Sequence, residues 1–156
     1  MKDVLISIKP SWCLYIAIGA KTVELRKNRP RLKTPFKVYI YCTKSSKKGG
    51  WVRAHKGGWQ RMDGSIIGEF ICDEIKFVSA KTWIVREDIE RRTAGSCLTF
   101  EQIVEYAGWR KAATFMDRKN LYAWHISNLK IYDEPKKLKK PPQNWCYVDS
   151  ERMIYE

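Results

Sequence analysis

Gly19-Ala-Lys-Thr-Val-Glu-Leu-Arg26 (GAKTVELR) is the stretch on which the reading of this chain turns. From Lys21 onward it alternates with the two-residue period of a β-strand. Val23 and Leu25 face one way, while Thr22, Glu24 and Arg26 face the other. One side therefore packs, and the other presents a hydroxyl, a carboxylate and a guanidinium. Just upstream, Val4 to Ile8 (VLISI) reads as a first strand, apolar enough to lie inside a sheet or barrel, and Lys9-Pro10 ends it. Ser11 is placed to cap a short helix with Trp12, Tyr15 and Ile16 on its apolar side, and Gly19 stops that helix.

Downstream, Arg29 to Pro35 reads as a basic turn with two prolines. Phe36 to Thr43 (FKVYIYCT) follows as a strand dense in aromatic and β-branched residues. Lys44 to Gly64 has five glycines, six Lys/Arg, Trp51 and Trp59, and little periodic apolar pattern. It reads as a long loop or a loose hairpin. Ile66 to Cys72 is the next strand and can run on to Val78, with Gly68 marking a bulge or tight bend. Arg86 to Arg92 looks helical. Thr99-Phe-Glu-Gln102 fits a capping box ahead of Ile103, Tyr106 and Ala107. Leu121 to Ile131 is a last long strand, and Pro135 is expected to stop the run. The tail LKKPPQNW is extended and basic, and Cys146 to Val148 can add an edge strand. Five or six strands and about three short helices, without regular alternation, point to an α+β chain built around a small mixed β-barrel. The expectation is one domain over residues 1–156, with a basic Gly/Trp-containing loop at 44–64 and a basic tail at 136–156.

The order of these blocks carries a resemblance. Gly19 to Arg26 resembles the signature of the ASCH family, G-x-K-x-x-E-x-R, set after a short helix and leading into a strand. Ser7-Ile-Lys-Pro10, Tyr39-Ile-Tyr-Cys-Thr43, Ile67-Gly-Glu-Phe70, Tyr122-Ala-Trp-His-Ile126 and Asp133-Glu-Pro135 stand in family-like order, so the likeness spans most of residues 4–135. It implies a PUA-like barrel with a cleft beside the signature. It also implies RNA-related roles, or hydrolysis of acylated cytidines or of RNA. In the amidohydrolase branch a threonine nucleophile works with the signature lysine. Here Lys21 matches the lysine, but Glu24 stands where that threonine would be.

Charge narrows the choice of partner. The chain of 156 residues has a formal net charge of +13. Residues 1–60 hold 14 Lys/Arg against 2 Asp/Glu, a net of +12, so nearly all the excess lies in the first 60 residues. Such concentration favours a polyanion, because clustered cations attract phosphates and release counterions on binding. RNA or a nucleotide-like ligand is the expected partner; a merely soluble basic surface is the alternative.

The five cysteines are scattered with no C-x-x-C pair, and His55 and His125 lie far apart, so neither a metal nor a cofactor is expected. The thiols are expected to be reduced and mostly buried. No run approaches the ~20 apolar residues of a membrane helix, and MKDVLISIKP is no signal peptide, so the chain reads as cytoplasmic.

The candidate site follows from side-chain chemistry. Arg26 offers a planar fork for a phosphate or a base edge. Lys21 offers a compact cation that burial can turn into a base. Glu24 can take a proton or accept from an amino group such as that of cytosine. These make Lys21 and Glu24 the catalytic candidates. The alternative is an ordinary ion pair with Glu24 tying the two cations. Lys9, Trp12, Thr22, Thr43 and Lys44 complete the expected binding set near the signature. Trp51 and Trp59 join it from the loop, interleaved with Lys47, Lys48, Arg53, Lys56 and Arg61. His125 is read as a general acid or base, or more simply as a buried histidine satisfied by backbone groups; His55 is expected to be exposed. A binding module, a hydrolase and a protein-interaction module using exposed aromatics all remain open at this point.

Overall fold

A computed structural model describes residues 2–45, 50–80 and 86–152. β1 (Asp3–Ile8) runs into α1 (Pro10–Ala17), then β2 (Val23–Arg26) and β3 (Phe36–Cys42). β4 (Val52–His55) and β5 (Gly58–Arg61) form a separate hairpin. β6 (Ser65–Val78), α2 (Arg86–Arg92), α3 (Phe100–Ala107), β7 (Leu121–Lys137) and β8 (Trp145–Val148) complete the order. Six strands form one curled sheet in the order β2-β7-β6-β3-β1-β8, a half-barrel. The sheet is mixed: β1 lies parallel to β3, and the other pairs are antiparallel.

The apolar runs have a direct explanation. Val4, Ile6 and Ile8 of β1 join Val38, Ile40 and Cys42 of β3 in the barrel interior, with Cys13 and Ile16 of α1, Phe70 and Trp124. Leu5, Tyr39 and Tyr41 face outward, yet are covered by Ile66, Leu138, Cys146 and Val148. Both faces of β1 and β3 are therefore buried, and their sequences are apolar throughout rather than alternating. A third cluster sets Val23 and Leu25 of β2 against Ile89 of α2 and Ile103, Val104 and Ala107 of α3.

Local expectations were met at several points. Thr99 Oγ1 accepts from Gln102 N at 3.2 Å and Gln102 Oε1 accepts from Thr99 N at 2.9 Å, closing the capping box. β6 bulges on both sides of Gly68. An added Cβ there would lie 2.3 Å from the Lys130 carbonyl oxygen, so only glycine lets β6 and β7 approach. The basic Gly/Trp segment is a hairpin over its described part. Arg53 fastens it by donating to the carbonyls of Tyr132 and Asp133. β8 pairs with β1 at the sheet edge.

Other expectations need correction. Ser11 is not the cap: Lys9 holds that position without a side-chain bond, and Pro10 opens α1, where its missing N–H costs nothing. Tyr15 is exposed; Cys13 and Ile16 form the buried side of the helix. Pro135 does not end β7, which continues to Lys137. The ladder resumes past it, where Lys136 and Lys137 pair with Ile66 and Ser65. Among the described residues no helix is long and apolar enough to cross a membrane.

Candidate functional site

The half-barrel leaves a seam between its first strand in spatial order, β2, and β1 near the other end. Arg26 of β2 spans it, donating from Nη2 to the Ser7 carbonyl of β1 at 2.7 Å. Beside this bridge lies a cavity of about 330 Å³, lined by Lys9, Trp12, Lys21, Glu24, Arg26 and Thr43. That volume is at the lower end of the ~300–1,000 Å³ typical of small-molecule sites. Six residues of the expected set thus share one concave surface.

Glu24 is the unusual member. Because Val23 and Leu25 pack under α2 and α3, Glu24 points to the opposite face, which the curl of the sheet turns into the seam. The side expected to present polar groups is therefore enclosed, and Glu24 is only 8% exposed. Its Oε1 lies 3.4 Å from Arg26 Nε. Its Oε2 is buried and has no hydrogen-bond partner among the described residues. A buried carboxylate oxygen without a donor is costly and rare.

Lys21 is 2% exposed. Its Nζ donates to the Ser96 carbonyl at 2.5 Å and sits 5.1 Å from the centre of the Trp12 ring. It makes no ion pair with Glu24 within 4 Å among the described residues, so the carboxylate does not tie the two cations together. Burial pushes the Lys21 pKa down from its ordinary 10.5, and the nearby Glu24 carboxylate partly opposes that. Residues 93–98 hold the lysine in place. Thr22 and Val23 donate their backbone N–H groups to Gly95 O at 2.9 and 3.2 Å, and Cys97 Sγ donates to Ala20 O at 3.3 Å.

Four members of the expected set lie elsewhere. Thr22 precedes β2 and lines a different cavity with His125, Lys76 and Arg92. Lys44 lines a third cleft with Arg61 and Lys137. Trp51 packs against the barrel core, because its place at the hairpin base turns it inward. Trp59 is 78% exposed on the hairpin. Lys47 and Lys48 lie outside the described residues.

His125 is not buried. It is 45% exposed at the side chain, with Nδ1 2.7 Å from Asp73 Oδ1, since its side chain projects from the outer face of β7. That bond holds the Asp73 carboxyl below its ordinary pKa. His55 is half-buried rather than free, 3.9 Å from Glu134. Of the cysteines, Cys13, Cys42 and Cys72 are buried and Cys97 is exposed.

The cavity also has walls that sequence reasoning missed: Ser7, Leu98, Tyr106, Gln143 and Asn144. Tyr106 was visible as part of an apolar helix face, and burial raises its phenol pKa. Gln143 and Asn144 carried no signal beyond an extended tail. The tail is drawn in by Ser7, whose Oγ donates to Pro142 O at 2.6 Å and whose N donates to Asn144 O at 2.8 Å. Among the described residues no group of three or more His, Cys, Asp or Glu could hold a metal ion.

Comparison with solved structures bears on the whole arrangement. The chain is similar to an ASCH protein from Zymomonas mobilis, with a TM-score of 0.65 at 19% identity over 96% of this chain and 89% of that one. A tyrosine-to-phenylalanine variant of that protein gives 0.66 at 19% identity, covering 97% and 93%. A serine-to-alanine variant gives 0.64 at 18%, covering 96% and 89%. No protein-family model matches the sequence, and no curated protein sequence does. At these identities the likeness is one of fold: the chain has the fold of an ASCH domain, a small PUA-like half-barrel.

Proposed function

We propose that the seam cavity binds the base of an RNA- or nucleotide-like ligand. The observation that carries this reading is Glu24, a carboxylate in the cavity lining whose buried Oε2 has no hydrogen-bond partner among the described residues. A base edge supplies what it lacks, an amino or imino N–H. Trp12 offers an aromatic surface for the ring, and the exposed Lys9 offers a cation.

The test is tryptophan fluorescence titrated with the four common nucleoside 5′-monophosphates. At least one should quench wild type, and Glu24→Gln should weaken it about tenfold or more. A hydrogen bond to a charged group is worth about 1.5–3 kcal/mol. The circular dichroism spectrum should be unchanged. If no nucleotide alters the fluorescence at millimolar concentration, the base site is wrong.

Hydrolysis is the second reading, favoured by the buried Lys21 with its lowered pKa. In its unprotonated form that amine takes a proton from water as the oxygen adds to an acyl carbon, and returns it to the amine of the acylated base as that amine departs. Thr22 lies outside the cavity and Glu24 replaces the expected threonine, so water rather than a side chain is the nucleophile in this reading. Turnover of an N4-acylated cytidine by wild type, abolished in Lys21→Met, would establish it.

A further inference from the structure

We infer that the main-chain N–H and C=O of Leu25 read the ligand beside Glu24, and that the three groups together select a 6-aminopurine edge, that of adenine. This rests on the reading of the seam cavity as a base site.

The register of β2 fixes where its main-chain groups point. Val23 stands opposite His125, Glu24 opposite Trp124 and Leu25 opposite Ala123. Ile126 N donates to Thr22 O at 2.9 Å, while Val23 N donates to Gly95 O at 3.2 Å, outside the ladder with β7. In an antiparallel pair, residues that exchange bonds with the partner strand alternate with residues that do not. Thr22 and Glu24 therefore turn their main-chain groups toward β7, and Val23 and Leu25 turn theirs away from it. β2 is the end strand of the sheet, so no other strand takes up that edge.

Gly95 supplies a partner for the Val23 N–H. The Leu25 N–H and C=O have no partner among the described residues. The Leu25 side chain is committed to the cluster with Ile103 and Val104 of α3, yet the residue also lines the seam cavity. What it presents to the cavity is therefore its main chain. Leu25 is only 3% exposed, which keeps bulk water from satisfying the pair. A main-chain donor and acceptor left in that state cost free energy until something pairs with them.

The unpartnered groups follow one another along the strand: Glu24 Oε2, then the Leu25 N–H, then the Leu25 C=O. They read acceptor, donor, acceptor. The complement is donor, acceptor, donor. Adenine presents its amino group, N1 and C2–H, so it pairs twice and sets a C–H against the remaining acceptor. Cytosine presents donor, acceptor, acceptor, and one acceptor then faces another. Uracil, with acceptor, donor, acceptor, opposes like to like at every position. Guanine, with acceptor, donor, donor, opposes donor to donor at the centre. Adding an amino group at C2 of adenine completes the complement.

The test is calorimetric titration of the wild-type protein with adenosine, cytidine, uridine, guanosine, 2-aminoadenosine and 1-deazaadenosine. Main-chain groups cannot be removed by substitution, so the ligand loses or gains the atom instead and folding is not disturbed. Adenosine should bind more tightly than the other three common nucleosides, and uridine at least about tenfold more weakly than adenosine. 2-Aminoadenosine should bind about fivefold or more tighter than adenosine, and 1-deazaadenosine, which lacks the N1 acceptor, about fivefold or more weaker. If 2-aminoadenosine is no tighter, 1-deazaadenosine no weaker, or uridine as tight as adenosine, the Leu25 edge does not read the ligand, and the base site stands without it. If none of the six binds, the base site falls and this inference falls with it.

Discussion

Lys21 and Glu24 stand three residues apart, are both buried and yet do not pair. Each is turned to something else: Lys21 to a carbonyl and the Trp12 ring, Glu24 to Arg26 and the open cavity. The cost of burying Lys21 is measurable through pH. Its folded pKa is lowered by burial, whereas the unfolded chain keeps the ordinary 10.5. Below the folded pKa both states hold the proton, and the folded state bears the full penalty. Between the two values the folded chain has released a proton that the unfolded chain still binds, so stability rises with pH across that window. Urea denaturation at stepped pH up to 10.5 should show the wild-type midpoint climbing relative to Lys21→Met. A gap between the two proteins that stays constant with pH would show that burial does not perturb this lysine.

Residues 93–98 act as a strap across the start of β2. Gly95 accepts the amides of Thr22 and Val23, and Ser96 accepts the Lys21 ammonium. Gly95 has φ +92°, and a Cβ there would lie 2.4 Å from Thr22 Oγ1. Backbone strain and collision therefore act together in Gly95→Ala. The expected cost is about 1–3 kcal/mol. Hydrogen exchange should quicken at the Thr22 and Val23 amides before it quickens in β3 or β6. Unchanged exchange at those two amides would mean that the strap does not fasten the strand. The same element shows why Thr22 is absent from the seam: it precedes β2, its N–H is taken by the strap, and its side chain lines a different cavity.

For the molecule as a whole, the curl of one sheet makes the site. β2 and β1 are far apart in the strand order, yet Arg26 reaches from one to the other. Glu24 and Arg26 thus line the cavity and also close the seam. Arg26→Met should leave a buried carboxylate without its cation and cost about 3 kcal/mol or more. Adding Glu24→Gln should recover much of that loss, because the charge itself is then gone. Urea midpoints for the two single variants and the double variant measure this coupling. Strict additivity would mean that the pair contributes nothing to closing the seam.

Most elements were legible in the chain itself. VLISI and FKVYIYCT are continuous apolar runs because both strand faces are covered, and composition shows that directly. The capping box and the alternation of β2 depend on neighbours a few residues away, so local sequence determines them. Lys9, Trp12, Lys21, Glu24, Arg26 and Thr43 were all legible as candidates, and the structure brings them to one cavity. Three things depended on contacts across the whole chain. An alternating strand reads the same whether its polar face meets water or a seam, so only the curl of the sheet decided that Glu24 is buried. Pro135 stops a strand in isolation, but pairing resumed beyond it, where Lys136 and Lys137 met β6. Gln143 and Asn144 reach the site because Ser7 hydrogen-bonds the tail across 135 positions of chain, a separation at which local pattern carries no information.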